Sequence, residues 1–274
     1  MSKAAPIGIF DSGYGGLTVL SAIQKRLPGY DFIYFGDNAR APYGTRSFET
    51  VYQYTLQSVK TLFSMGCNLT ILACNTASAK ALRTIQQRDL PAINSGKKVL
   101  GVIRPTTEII GTHSKNGKVG IVGTEGTVSS HSYLIEINQF FPELEVFQEA
   151  CPMWVPLVEN LEMKSPGADY FVEENLKNLF NKSKEIDTLL LACTHYPFLI
   201  DTIRKFIPVE VNILSQGPIV ADSLADYLIR HNEMDKLCSK NAEVTFYTSD
   251  DVGKFNSAAS LFYGERVNAN RLKI

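Results

Sequence analysis

Two of the five cysteines in this 274-residue sequence stand where a reactive thiol is expected in an α/β protein. Cys74 and Cys193 each close a short apolar run of the kind that forms a buried strand. Polar residues follow both thiols at once, namely Asn75, Thr76, Thr194 and His195. A thiol beside polar groups can exchange protons with a substrate, and a nearby histidine can take part in that exchange. For either cysteine alone, the competing interpretation is a small buried apolar residue.

The remaining cysteines, Cys67, Cys151 and Cys238, lack such a setting and are predicted to be inert. An odd number of cysteines without close pairing argues against the disulfide framework of a secreted domain. No CxxC pair is present in the sequence, so a structural zinc site is not indicated. The cysteines therefore predict buried or reactive thiols in a reducing compartment rather than cross-links or metal ligands.

A glycine-rich segment, DSGYGG at 11–16, follows the first predicted strand and opens a helix. Glycines permit a tight turn and a close approach of the backbone, and N–H groups at a helix start can hold an anion. The spacing is GxGG rather than the GxGxxG of dinucleotide-binding proteins, so a nucleotide site is the minor interpretation. The structural alternative is a turn in which Asp11 caps the helix.

Three further segments carry polar residues that a substrate could meet. The loop at 38–45 contains Tyr43 and Gly44, a second glycine-containing turn occupies 123–127, and Glu159 is the one acid in an apolar segment. Each also has an ordinary interpretation, as a connecting loop or as a helix that exposes one acid. A half-buried acid needs a partner, which makes Glu159 a candidate for assisting the chemistry. The other histidines have no supporting pattern: His113, His131 and His231.

Apolar runs alternate with longer segments of helical period along the chain. One long amphipathic helix is predicted to end just before Gly66. Strands are predicted near 6–10, 31–35, 69–73, 98–103, 118–122, 144–148, 187–192, 209–214 and 243–247. Strands separated by helices indicate right-handed βαβ units and parallel sheets that are covered on both faces. Working residues in such sheets lie just beyond the carboxyl ends of the strands.

The segments around the two thiols resemble one another, since each is an apolar strand that ends in Ala-Cys and is followed by polar residues. This faint internal repeat predicts an α/β fold made of two similar doubly wound parallel-sheet domains that face each other across a cleft. The predicted division assigns residues 1–96 plus 211–274 to a discontinuous first domain and residues 97–210 to the second. Each domain would then contribute one thiol to the cleft.

Composition narrows the classes of protein to be considered. Hydrophobic residues make up 45% of the chain, which is typical of a globular protein. A formal net charge of -1 gives no electrostatic footprint for nucleic acid or for an anionic membrane. No apolar run reaches the roughly 18 residues that a transmembrane helix needs. Residues 1–6 show no signal-peptide pattern, so the chain is expected to be cytoplasmic.

Taken together, the motifs resemble those of the glutamate racemases, within the broader aspartate/glutamate racemase family. The matching segments occur in the family's order and cover most of the chain: IGIFDSGYGGLTVL at 7–20, DNARAPYGTRS at 37–47, ILACNTASA at 71–79, VGIVGTEGT at 119–127, ACPMWVPLVE at 150–159 and LLLACTHYP at 189–197. Each segment alone is only suggestive, whereas the six together are specific. Two small departures are Ala192 and Thr106, which stand where the family more usually has glycine.

The resemblance implies a bacterial cytoplasmic enzyme that interconverts L- and D-glutamate, supplies D-glutamate for peptidoglycan and often forms a homodimer. It implies that Cys74 and Cys193 are the two acid/base residues and that no pyridoxal phosphate, metal or nucleotide takes part. Asp11, Glu159 and His195 match the groups that assist the thiols. The substrate-binding positions match these residues: Asp11, Ser12, Tyr43, Gly44, Asn75, Thr76, Thr194 and His195. By the family's usual assignment, Cys74 takes the proton from D-glutamate and Cys193 takes it from L-glutamate.

The two-thiol scheme also has a physical basis. Racemisation removes a proton from one face of Cα and returns it to the opposite face, which requires two acid/base groups facing each other. A thiol with an ordinary pKa of ~8.5 needs help to act as a thiolate at neutral pH. Three other functions stay open: a racemase acting on aspartate, a non-catalytic nucleotide- or phosphate-binding module, and a thiol-dependent hydrolase, for which no Cys-His-Asn set is evident.

Overall fold

The computed structural model of the protein describes residues 4–274. The first three residues lie outside the described residues. They belong to the first predicted domain and to the stretch for which no signal peptide is predicted. The strands are β1 (Ile7–Asp11), β2 (Phe32–Gly36), β3 (Leu69–Leu72), β4 (Lys98–Gly101), β5 (Lys118–Gly123), β6 (Glu145–Ala150), β7 (Thr188–Ala192), β8 (Asn212–Ser215), β9 (Val244–Thr248) and β10 (Ala269–Arg271).

Helices connect almost all consecutive strands. The α-helices are α1 (Gly16–Arg26), α2 (Phe48–Ser64), α3 (Asn75–Lys80), α4 (Leu82–Thr84), α5 (Leu90–Ile93), α6 (Ile103–Thr107), α7 (Ile110–His113), α8 (Glu125–Ser129), α9 (Ser132–Phe140), α10 (Trp154–Glu159), α11 (Pro166–Lys182), α12 (Ile200–Arg204), α13 (Gln216–Arg230), α14 (Asn232–Asp235) and α15 (Val252–Tyr263). Short 3-10 turns lie at Asn38–Arg40 and Tyr196–Leu199, and one π turn lies at Ile85–Asp89.

The strands form two parallel sheets. The larger sheet has the strand order β10-β9-β2-β1-β3-β4, and the smaller sheet has the order β6-β5-β7-β8. Four strands of the larger sheet, β2-β1-β3-β4, therefore repeat the order of the smaller one. Every pairing within the two sheets is parallel. The predicted fold class, two similar doubly wound α/β units, is confirmed.

The central strands owe their position to their apolar sequences. Every residue of β1, β2 and β7 is buried, as expected for strands that are covered by helices on both faces. Helix α2 covers one face of the larger sheet with an apolar stripe that includes Val51, Val59 and Leu62. Full burial of each such side chain contributes about 1.5–3 kcal/mol. Helices on the opposite faces bury the other side of the same strands.

The chain passes twice between the two sheets. Strand β4 is an edge strand of the larger sheet, and the next helix, α6, packs against α9, which belongs to the half of the protein that contains the smaller sheet. Strand β8 is an edge strand of the smaller sheet, and the next helix, α13, packs against α1 beside the larger sheet. The division into residues 1–96 plus 211–274 and residues 97–210 stays a prediction. Because β4 belongs to the larger sheet and β8 to the smaller one, the chain crosses between the sheets a few residues later, at each point, than the predicted bounds.

Helix α2 shows how a local sequence signal fixes an element boundary. Ser47 caps its start by accepting a hydrogen bond from the backbone N–H of Thr50 at 3.1 Å. Gly66 follows its end with φ at +103°, a backbone conformation that side-chain-bearing residues rarely adopt. Strand β3 begins shortly after this glycine. Gly66 therefore sets the direction from which the strand that leads to Cys74 enters the sheet.

We predict that Gly66→Ala lowers the free energy of unfolding by about 1 kcal/mol, because alanine disfavours the positive φ at this position. For a chain of this size the melting temperature would fall by roughly 2–4 °C. Thermal denaturation followed by circular dichroism measures the change. Gly29→Ala is the matched control, since a Cβ there has open space and the backbone does not have a positive φ. Equal melting temperatures for the Gly66 variant and the control would contradict the argument.

Candidate active site

The strand order places the candidate residues at two equivalent points. Strand β1 lies next to β3 in the larger sheet and β5 lies next to β7 in the smaller one, while the chain leaves β1 for β2 and β5 for β6 on the other side, so that the strand order reverses at these pairs. Such a switch point opens a crevice at the carboxyl ends of the strands. In the larger sheet β1 ends at Asp11 and Cys74 follows β3 closely. In the smaller sheet Gly123 ends β5, opposite Ala192 at the end of β7, so that Cys193 comes next.

Cys74 is held at the start of a helix but in a desolvating environment. It is the residue that precedes α3, and its Sγ accepts a hydrogen bond from the Ala77 backbone N–H at 3.4 Å. The Ser12 Oγ lies 3.5 Å from the same sulfur. Burial, assisted by the nearby Asp11 carboxylate, raises the pKa of Cys74 to about 12, although these two hydrogen bonds act in the opposite direction. Cys74 is therefore a neutral thiol at neutral pH.

Cys193 has a different partner. Its Sγ lies 3.9 Å from Nδ1 of His195, and Nε2 of the same ring lies 3.1 Å from Oε1 of Glu159. Burial by itself would lower the pKa of His195, but the hydrogen bonds and charges of Cys193 and Glu159 outweigh it and raise that pKa to about 10. The buried His195 ring therefore lies between the Cys193 sulfur at Nδ1 and the Glu159 carboxylate at Nε2.

The Asp11 carboxylate interacts electrostatically with both Cys74 and His195. One carboxylate oxygen, Oδ1, accepts a hydrogen bond from the Gly13 backbone N–H at 2.8 Å. Within residues 4–274 the other oxygen, Oδ2, is buried and has no hydrogen-bond partner. Burial raises the pKa of Asp11, although the positive charge of His195 opposes this. Asp11 does not occupy the N-cap position of α1, which is taken by Gly15.

The glycine-rich segment brings the two halves into direct contact. A Cβ on Gly15 would lie 2.2 Å from Thr194 Oγ1 and 2.5 Å from His195 Nδ1, distances that real side chains do not adopt. A Cβ on Gly16 would lie 2.5 Å from the Asp11 Cβ. Thr18, in the first turn of α1, donates to the Thr194 carbonyl at 3.2 Å. The absence of side chains at these glycines therefore allows Asp11 and His195 to share one site.

A second set of contacts joins the halves on the other side of the site. The Gly126 N–H donates to the Gly44 carbonyl at 2.8 Å, and the Thr76 and Thr124 hydroxyl groups lie 2.9 Å apart. The Tyr43 hydroxyl donates to Oδ2 of the buried Asp37 at 2.5 Å. That hydrogen bond engages the Tyr43 hydroxyl, so a ligand beside it would meet mainly ring and backbone atoms.

The predicted site residues are thus brought together. Ser12 lies beside Cys74, Thr194 and His195 follow Cys193, and both cysteine residues are only 6% exposed. The charge of Cys193 is a further, smaller cause of the raised pKa of Cys74, which means that the two sulfurs share one electrostatic environment. The cysteines predicted to be inert are buried as well: Cys67, Cys151 and Cys238.

Sequence reasoning missed several residues that shape the site. Gly15 appeared only as part of a turn, whereas its missing side chain makes room for Thr194 and His195. Gln216 and Tyr133 were not singled out, yet both form hydrogen bonds to the amide of Asn75. Gln216 follows the end of a strand directly, so the rule about carboxyl ends of strands would have found it. Tyr133 lies inside a helix and gave no comparable signal.

Comparison with known proteins identifies the class to which this fold and site belong. The family model described as Asp/Glu/Hydantoin racemase matches residues 15–218. The chain therefore belongs to the Asp/Glu/hydantoin racemase family. Within that family it belongs with the glutamate racemases, to which it is similar over nearly its whole length. The resemblance seen in the sequence motifs is confirmed.

Individual relatives show the extent of that similarity. The glutamate racemase of Ruegeria sp. (strain TM1040) is 40% identical over 266 residues, which cover 93% of this chain and 96% of the relative. The crystal structure of a glutamate racemase isoform from Bacillus anthracis superposes with a TM-score of 0.89 at 33% identity, covering 99% of this chain and 98% of the other. The Francisella tularensis subsp. tularensis SCHU S4 glutamate racemase in complex with D-glutamate gives a TM-score of 0.86 at 31% identity, with 100% and 98% covered.

The His195 environment predicts a pH-dependent contribution to stability. Its pKa is raised from 6.5 to about 10, so the folded state binds the proton more tightly than the unfolded state. The stabilisation is complete below pH 6.5 and is lost as the pH rises towards 10. We therefore expect His195→Asn to lower the melting temperature most near pH 6 and progressively less up to pH 9.5.

Thermal melts of both proteins at a series of pH values measure this difference. His113→Asn is the control, because His113 is exposed at the end of α7. Its effect should be small and should not vary in this way. A His195→Asn difference that stays constant or grows with pH would show that the imidazolium is not stabilised as described.

Proposed function

We propose that this protein interconverts L- and D-glutamate by moving the Cα proton between Cys74 and Cys193, without pyridoxal phosphate. The single observation that carries the proposal is the opposite electrostatic setting of two strand-end thiols in one site. Cys193 faces an imidazolium, and Cys74 is desolvated beside a carboxylate. The similarity to glutamate racemases supports glutamate as the substrate.

In the direction from L to D, the Cys193 thiolate removes the Cα proton and becomes a thiol. The electron pair left on Cα is then protonated from the opposite face by the Cys74 thiol, which becomes a thiolate. One proton is removed and one is returned, so the substrate has the same composition on both sides of the reaction. The direction from D to L begins with Cys74 as the thiolate and Cys193 as the thiol. The raised pKa of Cys74 suits the direction from L to D, in which its thiol is the proton donor.

Groups around the thiols can hold the substrate while its Cα proton is moved. Asp11 Oδ2 is a buried acceptor that has no hydrogen-bond partner among residues 4–274, which suits the substrate ammonium group. The helix start after Cys74 provides backbone N–H groups at Asn75 and Thr76 that have no acceptor within the helix, and these suit a carboxylate. Ser12, Tyr43, Gly44 and Thr194 complete the proposed contacts. His195 contributes a positive charge on the side of Cys193.

The carbanion is the chemical difficulty, because a Cα proton is far less acidic than a thiol. Hydrogen-bond donors that face the substrate carboxylate stabilise the charge that develops on deprotonation. The site residues that carry them are buried, so these interactions act in a medium of low dielectric constant. Glu159 assists indirectly, since it holds the His195 ring in place and favours its protonated form.

The proposal extends to the role of the enzyme in the cell. We propose that it supplies D-glutamate for peptidoglycan in the cytoplasm and that it acts as a homodimer that binds neither nucleic acid nor membrane. A formal net charge of -1 supports the absence of nucleic-acid binding. No helix within residues 4–274 is long and apolar enough to cross a bilayer. Sedimentation equilibrium would determine whether two copies associate.

Circular dichroism of purified protein with free amino acids tests the substrate directly. The signals of L-glutamate and of D-glutamate should both decay to zero without added cofactor, because the two enantiomers have equal free energy. L-Aspartate is one methylene shorter and should react about 10- to 200-fold more slowly. Decay of L-aspartate at the rate of L-glutamate would favour an aspartate racemase instead. Binding of a nucleotide with no racemisation would favour the non-catalytic alternative.

Substitution of the thiols tests the two-base scheme. Cys74→Ser and Cys193→Ser should each lower racemisation by at least about 10³-fold, because a serine hydroxyl is a far weaker acid and base at these positions. The decay of optical activity at neutral pH measures the loss. Cys238→Ser is the matched control, since a hydroxyl there can still donate to the Met234 carbonyl as the thiol does. Near wild-type turnover in either active-site variant would exclude a scheme that needs both sulfurs.

A further inference from the structure

We infer that Gln216, together with Tyr133, positions Cys74 for proton transfer by fixing the amide of Asn75 at the point where the chain crosses between the sheets. The inference rests on the proposed function, because it assigns these residues to the Cys74 half of that reaction. Neither residue is placed in contact with the reacting atoms. Both act through Asn75, which directly follows Cys74 and begins α3.

Gln216 is only 4% exposed, and its side-chain amide is surrounded by polar partners. Its Oε1 accepts a hydrogen bond from Asn75 Nδ2 at 2.7 Å. Its Nε2 lies 2.8 Å from the Tyr133 hydroxyl and 3.0 Å from both the Val102 carbonyl and Thr106 Oγ1. The Tyr133 hydroxyl in turn donates to Asn75 Oδ1 at 2.6 Å. Asn75, Gln216 and Tyr133 thus form a closed ring of three hydrogen bonds.

The orientation of every group in this ring follows from one carbonyl. The Val102 carbonyl can only accept, so it must face the Nε2 of Gln216 rather than the Oε1. Oε1 then faces Asn75, which must present its Nδ2, and Asn75 Oδ1 is left to accept from Tyr133. An inverted amide at either residue would place two acceptors or two donors against each other. The Asn75 side chain therefore has one allowed orientation.

The ring lies where the chain crosses between the sheets. Val102 follows β4 at the first crossing, and Gln216 follows β8 at the second. A single side-chain amide thus joins both crossings to the start of α3. Thr106, which stands where related sequences more usually have glycine, adds an acceptor for Gln216 and donates to the Val102 carbonyl at 3.2 Å.

A change in this ring of hydrogen bonds should affect Cys74 more than Cys193. Cys74 caps α3 through the Ala77 N–H, so a shift of Asn75 and of the helix start changes the position of the Cys74 sulfur relative to the substrate. Cys193 is held by His195 and Glu159, which form no hydrogen bond to Gln216 or Tyr133 within residues 4–274. Besides burial, the charge of Cys193 contributes to the raised pKa of Tyr133, but the Tyr133 hydroxyl forms its hydrogen bonds with Asn75 and Gln216. Loosening the ring should therefore impair proton transfer at Cys74 and leave transfer at Cys193 intact.

Steady-state rates alone cannot reveal such a one-sided effect. The values of kcat/KM in the two directions must remain equal, because L- and D-glutamate have the same free energy in water. Primary deuterium isotope effects do distinguish the sides. The deuteron of α-deuterated D-glutamate is removed by Cys74, and that of α-deuterated L-glutamate is removed by Cys193. When the Cys74 step becomes slower, the isotope effect on kcat/KM rises with D-glutamate and falls with L-glutamate.

The test compares Tyr133→Phe and Gln216→Glu with wild type. Tyr133→Phe removes one hydroxyl from a fully buried ring, and Gln216→Glu keeps an acceptor for Asn75 but loses the donor to Val102. We expect kcat to fall about 10- to 100-fold in both, since a displacement of about 1 Å can cost 10²-fold. Gln86→Leu is the matched control, because Gln86 donates to the Val99 carbonyl at 2.7 Å but has no contact with Asn75.

The supporting result is a raised isotope effect with D-glutamate and a lowered one with L-glutamate in both ring variants, while Gln86→Leu keeps wild-type values. If Gln216→Glu does not fold, Tyr133→Phe decides the question alone. Wild-type isotope effects in a folded Tyr133→Phe, or equal changes with both enantiomers, would overturn the inference and leave the proposed function standing. Failure of the wild-type protein to racemise glutamate would overturn the proposed function and this inference with it.

Discussion

A proton can leave one face of Cα and return to the other only if the two groups that exchange it remain on opposite sides of the same atom. In this protein the two groups belong to different sheets, so their relation depends on how closely those sheets are held together. Contacts at Gly15, Gly44 and Thr76 provide that constraint. Of these contacts, the one at the glycine-rich turn restricts the sequence most, because any side chain at Gly15 would displace Thr194 and His195.

The repeated strand order supplies equivalent positions, whereas the local partners make them chemically different. Both cysteines follow the third strand of the repeated order, and both are nearly buried. Desolvation raises the pKa of the Cys74 thiol, and the carboxylate of Asp11 adds to that rise. Cys193 instead lies beside the His195 ring, whose pKa is raised to about 10. A symmetric scaffold can therefore give its two thiols neighbours of opposite charge, which is the asymmetry that a two-base inversion needs.

The sequence predicted the parts of this arrangement that depend on local pattern. Apolar runs located β1 to β9, and the rule about carboxyl ends of parallel strands led to Cys74 and Cys193. The short strand β10 was missed, because three residues carry too little periodicity. Pattern also did not show that the segment after β7 is a 3-10 turn at Tyr196–Leu199 followed by α12. Contacts between distant residues could not be read from pattern. The contact between the Thr76 and Thr124 hydroxyl groups and the ring around Gln216 exist only because separate elements meet in three dimensions.

The position of β9 in the larger sheet has a consequence for the order in which the molecule is built. Strand β2 pairs on one side with β1 and on the other with β9, and Phe32 is in register with Val244. During synthesis from the N-terminus, the strands of the smaller sheet are all made before β9. Until then β2 has an open edge, which is a site for mispairing with other chains. The half that contains Cys74 is therefore completed last, although most of it is translated first.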